Sequence, residues 1–142
     1  MSQDLGYYRF PTVHENRLVF VADDDLWTVS LDGGRAERLT NGRGPSIHPR
    51  FSPDGQWIAF AGREEGNQEV YIIPSSGGTP ECLTHFGTVS YPSGWVGGSR
   101  AVLVTSNVGQ PFPQNHHIYE VPRNGTPFRQ LPLGPAREVT KA

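Results

Sequence analysis

A single cysteine, Cys82, stands in 142 residues, so no disulfide can form within the chain and stability has to come from packing. That usage fits a reducing compartment, and the expected location is cytoplasmic. No apolar stretch approaches the ~20 residues of a membrane-spanning helix. The opening Met1-Ser2-Gln3-Asp4-Leu5-Gly6 has neither a basic nor an apolar region, so neither export nor membrane insertion is expected. An excess of one charge is lacking too. Twelve basic and fourteen acidic residues leave a net charge of -2, with no run longer than Asp23-Asp24-Asp25, which offers nucleic acid no basic surface.

Long uninterrupted segments are missing for a different reason. Seventeen glycines and thirteen prolines break the chain too often for long helices but suit short strands joined by tight turns. With 35% hydrophobic residues the chain still buries a core. The expected fold class is all-β.

What is present is a repeat. Trp27-Thr28-Val29-Ser30-Leu31-Asp32-Gly33-Gly34 lies over Tyr71-Ile72-Ile73-Pro74-Ser75-Ser76-Gly77-Gly78 at an offset that also pairs Leu39-Thr40 with Leu83-Thr84. A third copy puts Tyr71, Gly77 and Leu83 on Tyr119, Gly125 and Leu131, and Phe51 and Ile58-Ala59-Phe60 on Trp95 and Val102-Leu103-Val104. The second copy is the clearest. Pro49-Arg50-Phe51 leads into the turn Ser52-Pro53-Asp54-Gly55, Trp57 to Ala61 forms a strand, Glu64-Glu65-Gly66-Asn67 turns, Val70 to Ile73 forms another, and Glu81 to Thr84 forms the last. The first copy supplies strands near Tyr7–Phe10, Leu18–Val21, Leu26–Leu31 and Ala36–Thr40, the third near Tyr91–Trp95, Ala101–Thr105, Ile118–Val121 and Phe128–Leu131. Four antiparallel strands per unit at this period predict β-propeller blades. Residues 1–142 thus read as one propeller segment: blade 1 about 7–40, blade 2 about 47–84, blade 3 about 91–132, and 133–142 a tail or the start of a fourth blade.

Pro49-Arg50-Phe51-Ser52-Pro53-Asp54-Gly55-Gln56-Trp57-Ile58-Ala59-Phe60, followed by Val70-Tyr71 and Leu83-Thr84, resembles the PD40 repeat of TolB-like propellers. Val19-Phe20-Val21-Ala22-Asp23-Asp24-Asp25-Leu26-Trp27, with Gln110-Pro111-Phe112 and Leu133-Gly134-Pro135-Ala136, is similar to the opening of tricorn-type serine peptidases. That resemblance implies large cytosolic enzymes that degrade peptides and begin with a six-bladed propeller acting as a size-selective substrate entrance. It places the catalytic machinery downstream of any residue here, so no catalytic residue is carried over and the chain is expected not to be an enzyme. Three blades are half of a six-bladed ring. An open arc leaves sheet faces unpaired, which predicts closure by a second copy into a homodimer. Pro135 to Lys141 aligns, through the second copy, with Asp4 to Phe10, so the tail and the next copy's first strand would compete for one inner position. The alternative is a module that recruits a different protein or a peptide through its open edges or the 107–117 loop.

Residue by residue, chemistry is sparse. Asp23-Asp24-Asp25 lacks the spaced oxygen ligands of a calcium loop and reads as a solvated turn. Cys82 and His85 give two donors where structural zinc takes four, so Cys82 reads as a packed strand thiol and no metal or other cofactor is expected. His116-His117 read as loop histidines. There is no Gly-x-Ser-x-Gly; Ser93 and Ser99 read as turn residues, and His14, His48 and His85 do not by themselves assemble a triad. Pro53, Asp54 and Gly55 are structural, with Asp54 bonding its own turn. Phe10, Phe51 and Trp95 in one register, and Trp27, Tyr71 and Tyr119 in another, mark packing between blades. The loop Asn107–His117 breaks the repeat, and its Gln110, Pro111 and Phe112 are the candidate partner contact, with the plainer reading that Phe112 covers a blade edge.

Overall fold

Alternating β-branched and aromatic residues between Gly- and Pro-bearing turns produce twelve strands and no helix among the described residues, which are 9–42, 44–110, 116–124 and 127–132 of a computed structural model. The first sheet runs β1 (Arg9–His14), β2 (Arg17–Ala22), β3 (Asp25–Ser30) and β4 (Glu37–Arg38). The second runs β5 (Ser46–Phe51), β6 (Trp57–Gly62), β7 (Glu69–Pro74) and β8 (Glu81–Cys82). The third runs β9 (Ser90–Val96), β10 (Ala101–Ser106), β11 (His117–Pro122) and β12 (Arg129–Gln130). Each is an antiparallel meander in chain order, the construction of a propeller blade.

The period of two along each strand sends alternate side chains to opposite flanks of a blade. Val19, Val21 and Leu26 of the first blade meet Ile58, Phe60, Tyr71 and Ile73 of the second in one core. Ala59, Val70 and Ile72, from the second blade's other flank, meet Trp95, Val102, Val104, Tyr119 and Val121 of the third. Each large side chain fully buried this way contributes roughly 1.5–3 kcal/mol. The backbone repeats the joint: Ser46 N–H donates to Asp24 O at 2.9 Å between blades one and two, and Ser90 N–H to Gln68 O at 3.0 Å between two and three.

The inner strands are kinked where proline removes a ladder donor. Register slips between Arg9 and Thr12 and between Ile47 and Arg50, and the residues before Pro11 and Pro49, Phe10 and His48, take positive φ of 54° and 56°. The kinks bring Phe10, His48 and Tyr91 into one row, with ring centroids 4.4 and 5.2 Å apart.

Blade one departs from the sequence expectation. Its inner strand lies at Arg9–His14, later than Tyr7–Phe10, because a two-residue turn, Glu15-Asn16, replaces the five residues between β5 and β6. Phe10 is therefore the counterpart of His48. The position of Phe51 and Trp95 is filled by Val13, which pairs with Leu18 as Phe51 pairs with Ile58 and Trp95 with Val102. Tyr7, Tyr8 and residues 133–142, including Leu133-Gly134-Pro135-Ala136, lie outside the described residues.

Candidate functional site

The two flanks of the arc differ. On blade one, the flank turned away from blade two carries Leu18, Phe20, Trp27 and Val29, in the register positions that Ile58, Phe60, Tyr71 and Ile73 occupy in blade two. Those four counterparts are at most 2% exposed, whereas Phe20 keeps 9% and Leu18, Trp27 and Val29 are only half-buried. Pro11, Leu18, Phe20, Val29, Gly34 and Ala36 line an apolar groove of about 340 Å³ there. Arg38 lies over Trp27 at 5.2 Å from the ring centroid, and the indole N–H donates to Ala22 O. At the other end of the arc, the flank of blade three turned away from blade two carries Leu103, Thr105 and Ile118, all 1% exposed or less. The open surface is thus on blade one.

The turn Ser52-Pro53-Asp54-Gly55 is a junction of all three blades. Asp54 Oδ1 accepts from Ser52 Oγ at 2.7 Å and from Gln56 N–H at 3.0 Å, which hold its carboxyl below the usual carboxylate range. The Asp54 N–H donates to Ser99 Oγ of the third blade, and the His14 ring of the first contacts Pro53 O at 3.0 Å. Gly55, at φ 73°, has no room for a side chain: a Cβ there would lie 2.3 Å from His14 Nδ1.

Three readings of the sequence need correction. Asp25 is not part of a solvated turn. Asp23 and Asp24 are exposed at positive φ, but Asp25 opens β3, is 3% exposed, and accepts from Thr40 Oγ1 at 2.5 Å and Gly42 N–H at 3.0 Å. Ser93 is no turn residue: it lies buried in β9 with its Oγ 2.5 Å from Thr105 Oγ1, while Ser99 does sit in a turn at φ 77°. His117 is not in the loop but begins β11, its Nδ1 3.0 Å from Gln130 Nε2; His116 precedes the strand.

Gln110 closes a turn by donating its N–H to Asn107 O at 3.1 Å, while Pro111 and Phe112 lie outside the described residues. Cys82 is half-buried in β8 and its Sγ lies 3.0 Å from Thr84 O. The structure brings His85 and Glu65 to the same place, a grouping the spacing of Cys82 and His85 alone does not reveal.

Sequence reasoning also missed a paired clasp. Glu69 in blade two stands where Asp25 stands in blade one: its Oε1 accepts from Thr84 Oγ1 at 2.5 Å and Phe86 N–H at 3.1 Å, and its Oε2 from Gly87 N–H at 2.8 Å. Thr40 and Thr84 in turn accept from Leu26 N–H and Val70 N–H, both at 3.0 Å. The signal was available, an acidic residue fifteen positions before a threonine in both copies.

Residues 5–141 match the family model described as the tricorn protease N-terminal β-propeller domain. Tricorn protease homolog 1 of Streptomyces coelicolor is 38% identical over 96% of this chain, which spans only 13% of that protein. A protein named as a tricorn-like protease N-terminal subunit, from Sulfurisphaera tokodaii, is 30% identical over 94% of this chain and 70% of its own length. Among solved structures, the crystal structure of the tricorn protease superposes with a TM-score of 0.86 at 26% identity, over 95% of this chain and 14% of that one. TolB from Agrobacterium tumefaciens shares the fold, with a TM-score of 0.70 at 21% identity over 87% and 48% of the two chains.

Proposed function

The chain belongs to the family of tricorn protease N-terminal β-propeller domains, and on that premise we propose that it is a non-catalytic ring segment, three blades of a six-bladed peptide entrance that a second copy completes. The observation that carries this reading is the open flank of blade one. Leu18, Phe20, Trp27 and Val29 sit at positions that blade two buries completely, and a groove lies over Leu18, Phe20 and Val29. Such a face is stable only when another blade covers it. Two arcs of three make a ring of six with each open flank against the partner's third blade. Cys82 standing alone supports a cytoplasmic setting.

Light scattering after size exclusion, over a range of concentrations, tests the assembly. The expected species has twice the 15.7 kDa of one chain, and Val29→Arg, which puts a charge into the seam, yields folded monomer. A wild-type chain that stays monomeric and folded at every concentration overturns the homodimer.

A second reading rests on the Sulfurisphaera relative, whose name makes it one subunit of a peptidase. By that reading the open flank takes a blade of a different polypeptide bearing the remaining propeller. The wild-type chain is then monomeric alone, and Val29→Arg abolishes binding to that polypeptide.

A further inference from the structure

We propose that Glu65, Cys82 and His85 form a binding site for a borderline-soft divalent cation of the zinc type on the outer edge of blade two. The three side chains come from separate places, the β6–β7 turn, β8 and the segment just after it, and their donor atoms lie within 4.8 Å of one another. His85 Nδ1 and Glu65 Oε1 are 3.8 Å apart. Tetrahedral Zn²⁺ with bonds of about 2.0–2.3 Å separates its donors by somewhat less than this, so closing the set needs about an ångström of movement. The exposed side chains of Glu65 and His85 are free to make it. One thiolate, one imidazole and one carboxylate is a donor set that suits Zn²⁺ and excludes Mg²⁺ and Ca²⁺, which take oxygen.

The backbone around the three is fixed. Glu65 N–H donates to the hydroxyl of buried Tyr71, which pairs with Cys82 across the sheet. The Glu69 clasp holds Thr84 on one side of His85 and Phe86 and Gly87 on the other. A groove of about 220 Å³ lined by Glu65, Asn67, Glu69, His85 and Gly87 opens beside the donors and leaves room for water as the fourth ligand. The repeat does not demand this set. At the positions of Cys82 and His85 the first blade has Arg38 and Asn41, and the third has Gln130 and Leu133.

Binding replaces the S–H bond with a metal–sulfur bond and releases the proton to solvent. Each bound ion releases one thiol proton, so affinity rises with pH. The Cys82 Sγ contact with Thr84 O is given up in the process.

Titration of the full chain with Co²⁺, followed by displacement with Zn²⁺, tests the site. The expected result is a near-ultraviolet thiolate-to-cobalt charge-transfer band with strong visible bands of a tetrahedral ion, both erased by one equivalent of Zn²⁺. Cys82→Ser removes the charge-transfer band. His85→Ala and Glu65→Gln weaken binding more than about tenfold, and Tyr71→Phe, which removes the acceptor that holds the Glu65 N–H, weakens it by about tenfold. Unchanged circular dichroism of each variant separates ligand loss from unfolding. No charge-transfer band at millimolar Co²⁺, or Zn²⁺ binding that survives Cys82→Ser undiminished, overturns the proposal.

Discussion

Blades one and two share a device that blade three lacks. In all three the outer strand is joined to its neighbour by the same backbone bond, Leu39 N–H to Leu26 O, Leu83 N–H to Val70 O and Leu131 N–H to Ile118 O, at 2.7 to 2.8 Å. Only the first two add a buried carboxylate and a threonine hydroxyl, Asp25 with Thr40 and Glu69 with Thr84. In the third the carboxylate position is His117, half-buried beside Gln130, and the threonine position is Pro132. An outer strand of two residues makes too few ladder bonds to hold itself. The clasp supplies the rest, and it also turns the chain toward the next blade, since the segments after Thr40 and Thr84 lead to the inner strands β5 and β9. Blade three ends the described arc with no such anchor.

The largest effect in breaking that comparison is expected at Glu69. Glu69→Ala strands the Thr84 hydroxyl and the Phe86 and Gly87 amides, three bonds to one side chain, at a cost of about 3 kcal/mol in urea unfolding. Asp25→Ala removes two such bonds and a 3.5 Å contact to the half-exposed Arg38 side chain, for about 2 kcal/mol. Equal losses at the two sites would mean that the third bond of Glu69 contributes no more than the Arg38 contact of Asp25. Smaller again is Gly55→Ala, where the new Cβ meets the His14 ring and the backbone stays at φ 73°, for about 1–2 kcal/mol. Adding His14→Ala relieves the contact but not the backbone cost, so the double variant recovers part of the loss. Simple additivity would show that the turn and His14 do not press on each other.

The fold was legible because its signals are local and repeated: turn residues, alternation, and Trp27, Tyr71 and Tyr119 at matching places. The inner strand of blade one was misread by matching Phe10 to Phe51, when the shorter Glu15-Asn16 turn makes Val13 the counterpart. Asp25 was hidden by its neighbours. Beside Asp23 and Asp24 it reads as part of a charge run, and only strand alternation together with the distant Thr40 separates it from them. The Glu65, Cys82 and His85 grouping had no linear signature, since it depends on the β6–β7 turn reaching β8 across the sheet. Which flank is open is a property of packing, and composition carries none of it, for Leu18, Phe20 and Val29 are as apolar as Ile58, Phe60 and Ile73.

The sharpest form of the comparison is to give blade three the clasp. His117→Glu alone trades the Gln130 contact for a half-buried carboxylate facing Pro132, which has no hydroxyl, and should cost a few tenths of a kcal/mol. Pro132→Thr alone should be near neutral, because an outer-edge threonine without its acceptor gains nothing. Together they recreate the pair that Glu69 and Thr84 form, with Ile118 in the place of Val70, and should raise stability by about 0.5–1 kcal/mol. The informative quantity is the coupling in the double-mutant cycle. A favourable coupling makes the carboxylate and threonine the unit that fastens an outer strand. Zero coupling assigns that task to the Phe86 and Gly87 amides and leaves Thr84 as a bystander.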